Sequence, residues 1–495
     1  MPQRIHASGS TILAALVLIL LVFVPCVETA LQSNVAVSSI GRIEPSVNVA
    51  LNTSKVIGVN NLSLGFMIDS ELKKWLDSSV QRGLARDANF KLIRFFDFRQ
   101  TNLPLMPVTY WNDSSKTGTY NWTIVDTFVQ RIFEIGAEPL VCLGWAQKNP
   151  DIMEYLPPGM AINAVTGLPY PESYAAYAAE WVKHFEASGM PVRYYEIFNE
   201  PYHYFGWNRF DTTRLANYLD LWNTVSRTMR QENPSIFISF DASTIKWVLD
   251  YWLQYGDNID YIDFHKYDSG VVGQYTDSEM FIYAEEKRFE TSPLYYGVRE
   301  AQQKWVEKRG KRLPIINSES NFNWAYVNGT DQRIQQMAGT VWTSLVIRTA
   351  ILKGLSYNVY NSFSSSASIE QRDPSKGYGF GMVNSYNNKP WYPYYLNRII
   401  GNSIGIGDRL IEANSSSNDI RCLAWIHKEM LNIFLILKED QPRTVCIRGL
   451  VGVLTYQKID DTISFLTPSI QTGIIDVANP FILKGYTVVL LQTRL

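Results

Sequence analysis

The chain has 495 residues and a mass of 56.6 kDa. Hydrophobic residues make up 46% and charged residues 19%, which excludes a mainly disordered chain. Lys plus Arg number 45 against 47 Asp plus Glu, so the net charge of −2 offers no electrostatic footprint for nucleic acid.

The first element is a targeting segment. Arg4 precedes an apolar run from Ile12 to Val24, closed by Pro25 and Cys26. A positive start followed by a short apolar stretch has the pattern of a secretory signal, and the run is shorter than the roughly 20 residues that span a bilayer comfortably. Residues 1–30 are read as a signal peptide or an N-terminal membrane anchor, with the rest of the chain extracellular or at the cell surface. Asn-x-Ser/Thr triplets at Asn52, Asn61, Asn112, Asn121, Asn328 and Asn414 agree with export. Residues 31–55 are open between a linker and a strand lent to a later sheet, because Val35-Ala-Val37 and Val47-Asn-Val49-Ala-Leu51 alternate.

From 56 to 400, short apolar runs alternate with longer segments of helical period, the pattern of parallel strands joined by helices. The runs are Leu62–Ile68, Lys91–Phe96, Pro139–Trp145, Arg193–Phe198, Ile236–Phe240, Tyr261–Phe264, Pro314–Asn317 and Leu355–Tyr360. Helices are expected over Ser173–Ala187, Leu215–Arg230 and Tyr295–Lys308, among others. Eight units fit a closed (β/α)8 TIM barrel, of the α/β class. Six or seven would fit an open doubly wound sheet, and periodicity alone does not choose.

Residues 401–495 change texture. Arg421–Ile426, Asn432–Leu437, Thr444–Ile447, Gly452–Gln457 and Tyr486–Gln492 read as strands with no long helix between them, so a smaller antiparallel β-sandwich domain is expected. Cys422 and Cys446 fall in neighbouring strand-like segments and could pair in an oxidising compartment, whereas Cys142 reads as a buried thiol. The sequence holds no CxxC and no close His/Cys cluster, and no metal site is expected.

Two motifs carry chemistry. In Tyr194-Tyr-Glu-Ile-Phe-Asn199-Glu200-Pro201 an apolar strand runs into a carboxylate, and Pro stops the ladder just beyond it. In Leu313-Pro-Ile-Ile-Asn-Ser-Glu319-Ser another strand delivers a second glutamate. These are the fourth and seventh runs, whose ends face each other across a barrel mouth. Glycosidic cleavage needs two such carboxyl groups, one protonated to serve the leaving oxygen and one ionised. Trp145 and Trp324 fall near strand ends, where a ring can act as a sugar platform. Glu196, Asp241 and Asp263 lie on or beside strands and are read as structural groups.

With these motifs in order, the chain resembles the clan A glycoside hydrolases, and its added sheet domain resembles the xylosidase-like and glucosylceramidase-like families among them; cellulase-like members share the barrel. The resemblance implies a retaining double displacement with Glu200 as acid/base and Glu319 as nucleophile. It makes Asn199 the asparagine that binds the sugar 2-hydroxyl. Phe264-His265-Lys266-Tyr267 matches the clan's His-x-Tyr pattern, which implies that Tyr267 steadies the nucleophile and His265 lines the sugar pocket. Arg94 matches an arginine that keeps the nucleophile ionised. The chain departs from the pattern at strand eight, where Tyr357-Asn-Val-Tyr-Asn-Ser-Phe363 lacks the tryptophan that many members place under the sugar. The expected activity is hydrolysis of a β-linked oligo- or polysaccharide, with no organic cofactor or metal, since two carboxyl groups suffice. A carbohydrate-binding surface protein on a barrel scaffold and a transglycosylase using the same residues are the alternatives.

Overall fold

The structure, a computed structural model, describes residues 46–68, 72–97, 99–100, 103–104, 107–145, 156–325, 330–365, 379–464 and 467–495. The signal or anchor segment lies outside the described residues. Among them, no helix is long and apolar enough to cross a membrane.

Eight parallel strands, taken here as barrel strands one to eight, are Ser63–Ile68, Leu92–Phe96, Glu138–Trp145, Tyr194–Asn199, Phe237–Ser239, Ile262–Ser269, Ile315–Asn323 and Tyr357–Asn361. Strand one pairs with strand two on one side and with strand eight on the other. The order 5-4-3-2-1-8-7-6 leaves only strands five and six as possible edges, and a doubly wound sheet would leave those two apart. The one seam without a ladder, between strands five and six, is closed by the Asp260 amide on the Ile238 carbonyl (2.9 Å) and the Ser239 hydroxyl on the Tyr261 carbonyl (2.6 Å). Met67, Leu92, Phe96, Leu140, Cys142, Tyr261, Ile316 and Val359 fill the interior as one cluster, so the barrel is packed and leaves chemistry to its ends.

The helix ends differ by up to three residues from those the periodicity suggests, because caps set them: Pro171–Ala187 and Thr213–Glu232 run longer and Val298–Arg309 starts later. Pro171–Ala187 starts on a proline whose missing N–H costs nothing in the first turn. Val298–Arg309 stops at Gly310, which takes the left-handed φ of 71°. Tyr392–Ser403, a further helix, crosses the boundary at residue 400.

The β domain is one continuous sheet in the order Gln471–Asp476, Val453–Asp460, Thr487–Arg494, Met430–Leu437, Ile420–His427, Arg409–Ser415, Val47–Val59, Arg443–Arg448 and Phe481–Leu483. Its pairs are antiparallel except Val47–Val59 with Arg443–Arg448. The segment that was open between linker and strand is therefore a central strand from Val47 onward. Leu431, Ile433, Leu435 and Leu437 join Val49, Leu454 and Leu483 in a core of the domain's own. Phe434, Ile436 and Leu490, on the opposite face, join the core of the barrel helices. Burial on both faces explains why Leu431-Asn-Ile-Phe-Leu-Ile-Leu437 shows almost no alternation.

The pairing raised for Cys422 and Cys446 is corrected: both are free and buried, like Cys142. Cys422 faces Leu435 across its ladder and Cys446 faces Asn48, so the two lie on strands that are not neighbours in the sheet.

Candidate active site

Strand four carries the first glutamate through two breaks in regular strand geometry. Phe198 has φ 61° and Glu200 has φ 45°, both left-handed. In a regular strand successive side chains point to opposite faces, so Asn199 and Glu200 could not both turn to one site. The left-handed residues break that alternation, and both side chains join the same cluster. A left-handed residue other than glycine costs about 1–2 kcal/mol and needs outside support. Phe198 finds it by stacking on Tyr174, with ring centroids 5.0 Å apart.

Strand seven uses a bulge. Phe264 on strand six pairs with Asn317, but the next residue, His265, pairs with Glu319, so Ser318 is the extra residue. The bulge re-aims Glu319 while Asp263, His265 and Tyr267 alternate inward from strand six.

Arg94, fully buried on strand two, ties the site together. Its Nη1 lies 2.9 Å from Glu319 Oε2, its Nη2 2.7 Å from Glu196 Oε2, and its Nη2 also donates to Asn199 Oδ1 at 2.8 Å. Glu319 accepts on Oε1 from the Tyr267 hydroxyl and from Asn361 Nδ2 at 3.1 Å, and Asn361 Nδ2 also donates to the Tyr267 oxygen at 2.6 Å. His265 Nδ1 stands among three carboxyl groups: Glu200 Oε1 at 2.9 Å, Asp241 Oδ2 at 3.4 Å and Glu319 Oε2 at 3.8 Å. Asp241 Oδ2 also accepts the Glu200 amide at 2.9 Å. The Glu200 side chain is 22% exposed and that of Glu319 11%, so Glu200 faces the mouth and Glu319 lies deeper.

The electrostatics divide the groups. Burial opposes the charge on His265, but Glu319, Asp241 and Glu200 outweigh it and raise its pKa to about 10. Burial pushes Asp241 up to about 7 against the pull of His265. Burial also works to raise Glu200, but the hydrogen bond and charge of His265 prevail and lower it. Burial and the neighbouring Glu196 hold Asp263 well above the ordinary carboxylate range. Glu200, Asp241 and His265 each offer one atom within 4.8 Å of the others, a spacing that could hold a metal ion. Their mutual hydrogen bonds already account for that closeness.

Arg94, Asn199, Glu200, His265, Tyr267 and Glu319 thus converge. Trp324 does not join them: its ring lies over Gly270, it is 54% exposed, and it sits five residues beyond Glu319, about 15 Å of strand rise. The backbone of Trp145 pairs with Asn199, and its ring is outside the described side chains. Sequence reasoning missed Asn361 and placed Asp241 too far from the chemistry. Asp241 follows the apolar run Ile236–Phe240 directly, the same strand-then-acid signal that revealed both glutamates.

A closed eight-stranded barrel in which a glutamate just past strand four meets one on strand seven defines a clan A glycoside hydrolase. The sequence model of Glycosyl hydrolases family 39 matches residues 71–396, and the chain belongs to that family. No curated protein matches the chain. Among solved structures it is similar to a GH39 β-xylosidase from Caulobacter crescentus, at 14% identity over 90% of this chain and 100% of that one, with a TM-score of 0.59. An α-L-arabinofuranosidase from Thermotoga maritima is 14% identical over 91% of this chain and 100% of that one, with a TM-score of 0.62. A glucosidase from Croceicoccus marinus is 12% identical over the same shares, with a TM-score of 0.63. At these identities the likeness is one of fold.

Proposed function

We propose that this glycoside hydrolase is an exported, retaining enzyme acting on a β-linked oligo- or polysaccharide, with Glu200 as acid/base and Glu319 as nucleophile. The observation that carries the reading is that both glutamates reach one imidazole nitrogen, at 2.9 Å and 3.8 Å. Laid end to end, those distances cap the separation of the two oxygens. The cap applies to that one pair of oxygens and is consistent with the retaining separation of about 5–5.5 Å between carboxyl groups.

In the first step Glu319 attacks the anomeric carbon, the bond to the leaving oxygen breaks, and that oxygen takes a proton from Glu200. In the second, Glu200 removes a proton from water, which attacks the anomeric carbon and releases Glu319. Glu200 must therefore gain and lose a proton. The Glu200–His265 pair holds that proton jointly, and with Glu200 lowered and His265 raised it rests on the imidazole until the leaving group arrives. The 2-hydroxyl of the sugar is assigned to Asn199, whose Oδ1 is fixed by Arg94. Export rests on the residue 1–30 pattern and on Asn52, Asn61, Asn112, Asn121 and Asn414, all exposed acceptors.

The test uses Glu200→Ala and Glu319→Ala on an activated aryl glycoside, chosen from a panel of β-xyloside, β-glucoside and α-L-arabinofuranoside. Azide can occupy the space either alanine leaves. In Glu200→Ala it should attack the glycosyl-enzyme and give the azide of retained configuration; in Glu319→Ala it should attack the substrate and give the opposite anomer. Product anomers read by NMR decide the roles. Swapped anomers would reverse them, and undiminished activity in either variant would remove that glutamate from the mechanism.

A further inference from the structure

We propose that Asp241 is the positioning residue of the general acid, holding Glu200 at both ends so that its carboxyl meets the leaving oxygen. The proposal rests on the acid/base reading of Glu200 and adds the group that makes that reading workable.

Glu200 sits in a left-handed conformation between Asn199 and Pro201, so its geometry has to be imposed from outside. Asp241, just past strand five and beside strand four in the barrel, supplies the constraint. One oxygen, Oδ2, accepts the Glu200 amide at 2.9 Å and lies 3.4 Å from His265 Nδ1, which in turn is 2.9 Å from Glu200 Oε1. The three residues form a closed ring: backbone of Glu200, carboxyl of Asp241, imidazole of His265, carboxyl of Glu200. Fixing a flexible glutamate at its amide and at its carboxyl leaves the intervening torsions little freedom.

A purely structural acid would look different. Asp241 is buried, with 1% of its side chain exposed, yet no Arg or Lys contacts it among the described residues, and its other oxygen, Oδ1, has no hydrogen-bond partner. Its direct partners are two groups of the site. A carboxylate here also favours the proton on His265 Nδ1, the atom that faces Glu200 Oε1, which an alanine or leucine would not do.

The experiment is a leaving-group series on the full-length enzyme. Asp241→Ala is compared with the wild type on aryl β-glycosides that run from 2,4-dinitrophenyl, which departs almost unaided, to phenyl, which needs a proton. General acid assistance contributes about 10²–10⁴-fold. Disordering the acid should therefore lower kcat/KM by about 10–100-fold for phenyl but by less than about threefold for dinitrophenyl. Asp241→Asn keeps an acceptor for the Glu200 amide and should recover most of the phenyl rate. Asp241→Ser, whose hydroxyl falls short of that amide, should behave as alanine does and serves if the alanine variant does not fold. Added to Glu200→Ala, the Asp241→Ala change should cost nothing further on phenyl substrates. Equal losses across the series, or a further loss in the double variant, would overturn the proposal while leaving Glu200 as the acid. If Glu200→Ala itself showed no leaving-group dependence, the acid/base assignment would fall, and this proposal with it.

Discussion

Arg94 offers the sharpest test of the site's electrostatics. Its guanidinium is wholly buried and pairs with Glu196 at 2.7 Å and Glu319 at 2.9 Å. Arg94→Met keeps apolar bulk and strips the charge, leaving two carboxylates buried around an empty cationic position. Breaking a buried ion pair from one side costs about 3–5 kcal/mol, which displaces a urea midpoint by roughly 1 M. The loss should also depend on pH. In the native protein burial raises Glu196 but Arg94 prevails and lowers it, so this group stabilises the fold above the unfolded carboxylate value, near 4.3, and that contribution fades as pH falls through the lower folded value. Without Arg94 burial is opposed only by the His265 charge and the Asp263 hydrogen bond, so the folded value rises and the stabilisation present above the unfolded value shrinks. The gap between the two proteins should therefore be widest near pH 7 and narrow toward pH 4. Unfolding followed by fluorescence in urea at both values is the assay, with Arg94→Met/Glu196→Gln expected to recover part of the loss. A cost below about 1 kcal/mol at pH 7, or an equal cost at both pH values, would refute the reasoning.

Two more outcomes follow from single contacts. Tyr267→Phe removes the hydroxyl that donates to Glu319; hydrogen bonds to charged groups are worth about 1.5–3 kcal/mol, so kcat/KM on an aryl glycoside should fall about 10–100-fold, with a smaller fall for Asn361→Ala. Glu285, on the barrel helix Asp277–Glu286, accepts from Arg348 at 3.1 Å and from Arg421 of the β domain at 2.8 Å; Glu285→Ala should cost about 1–3 kcal/mol in urea unfolding, because it leaves both cations without their shared partner.

The sequence exposed what repeats along one dimension. Eight apolar runs, and the placing of an acid where two of them end, are local patterns, and they located the barrel and both glutamates. What stayed hidden depends on contacts across the fold. The bulge at Ser318 is visible only in the register between strands six and seven. The left-handed residues at 198 and 200 are permitted by side chains from elsewhere, not by the local sequence. Val47–Val59 pairs in parallel with Arg443–Arg448, a partner nearly four hundred residues away, so its alternation could equally belong to a linker. At strand eight the absence of tryptophan was legible, but the hydrogen bonds of Asn361 to Glu319 and Tyr267 were not, because they join strands far apart in the sequence.

The deepest regularity is the division of two cations among five carboxyl groups. Arg94 touches Glu196 and Glu319, His265 lies nearest Glu200 and Asp241 with Glu319 farther off at 3.8 Å, and burial holds Asp263 well above the ordinary carboxylate range. A guanidinium does not give up its charge in a protein, whereas an imidazole exchanges protons readily. On the proposed roles, the permanent cation stands beside the group that must attack as an anion, and the exchangeable one beside the group that must give a proton and take it back. Exchanging the two would leave the acid next to a charge that never relents, with no proton to pass on, and the nucleophile next to one that can vanish. The pairing of each glutamate with its cation is therefore an independent argument for the direction of the mechanism, since neither the length of the strands nor the spacing of the carboxylates distinguishes acid from nucleophile.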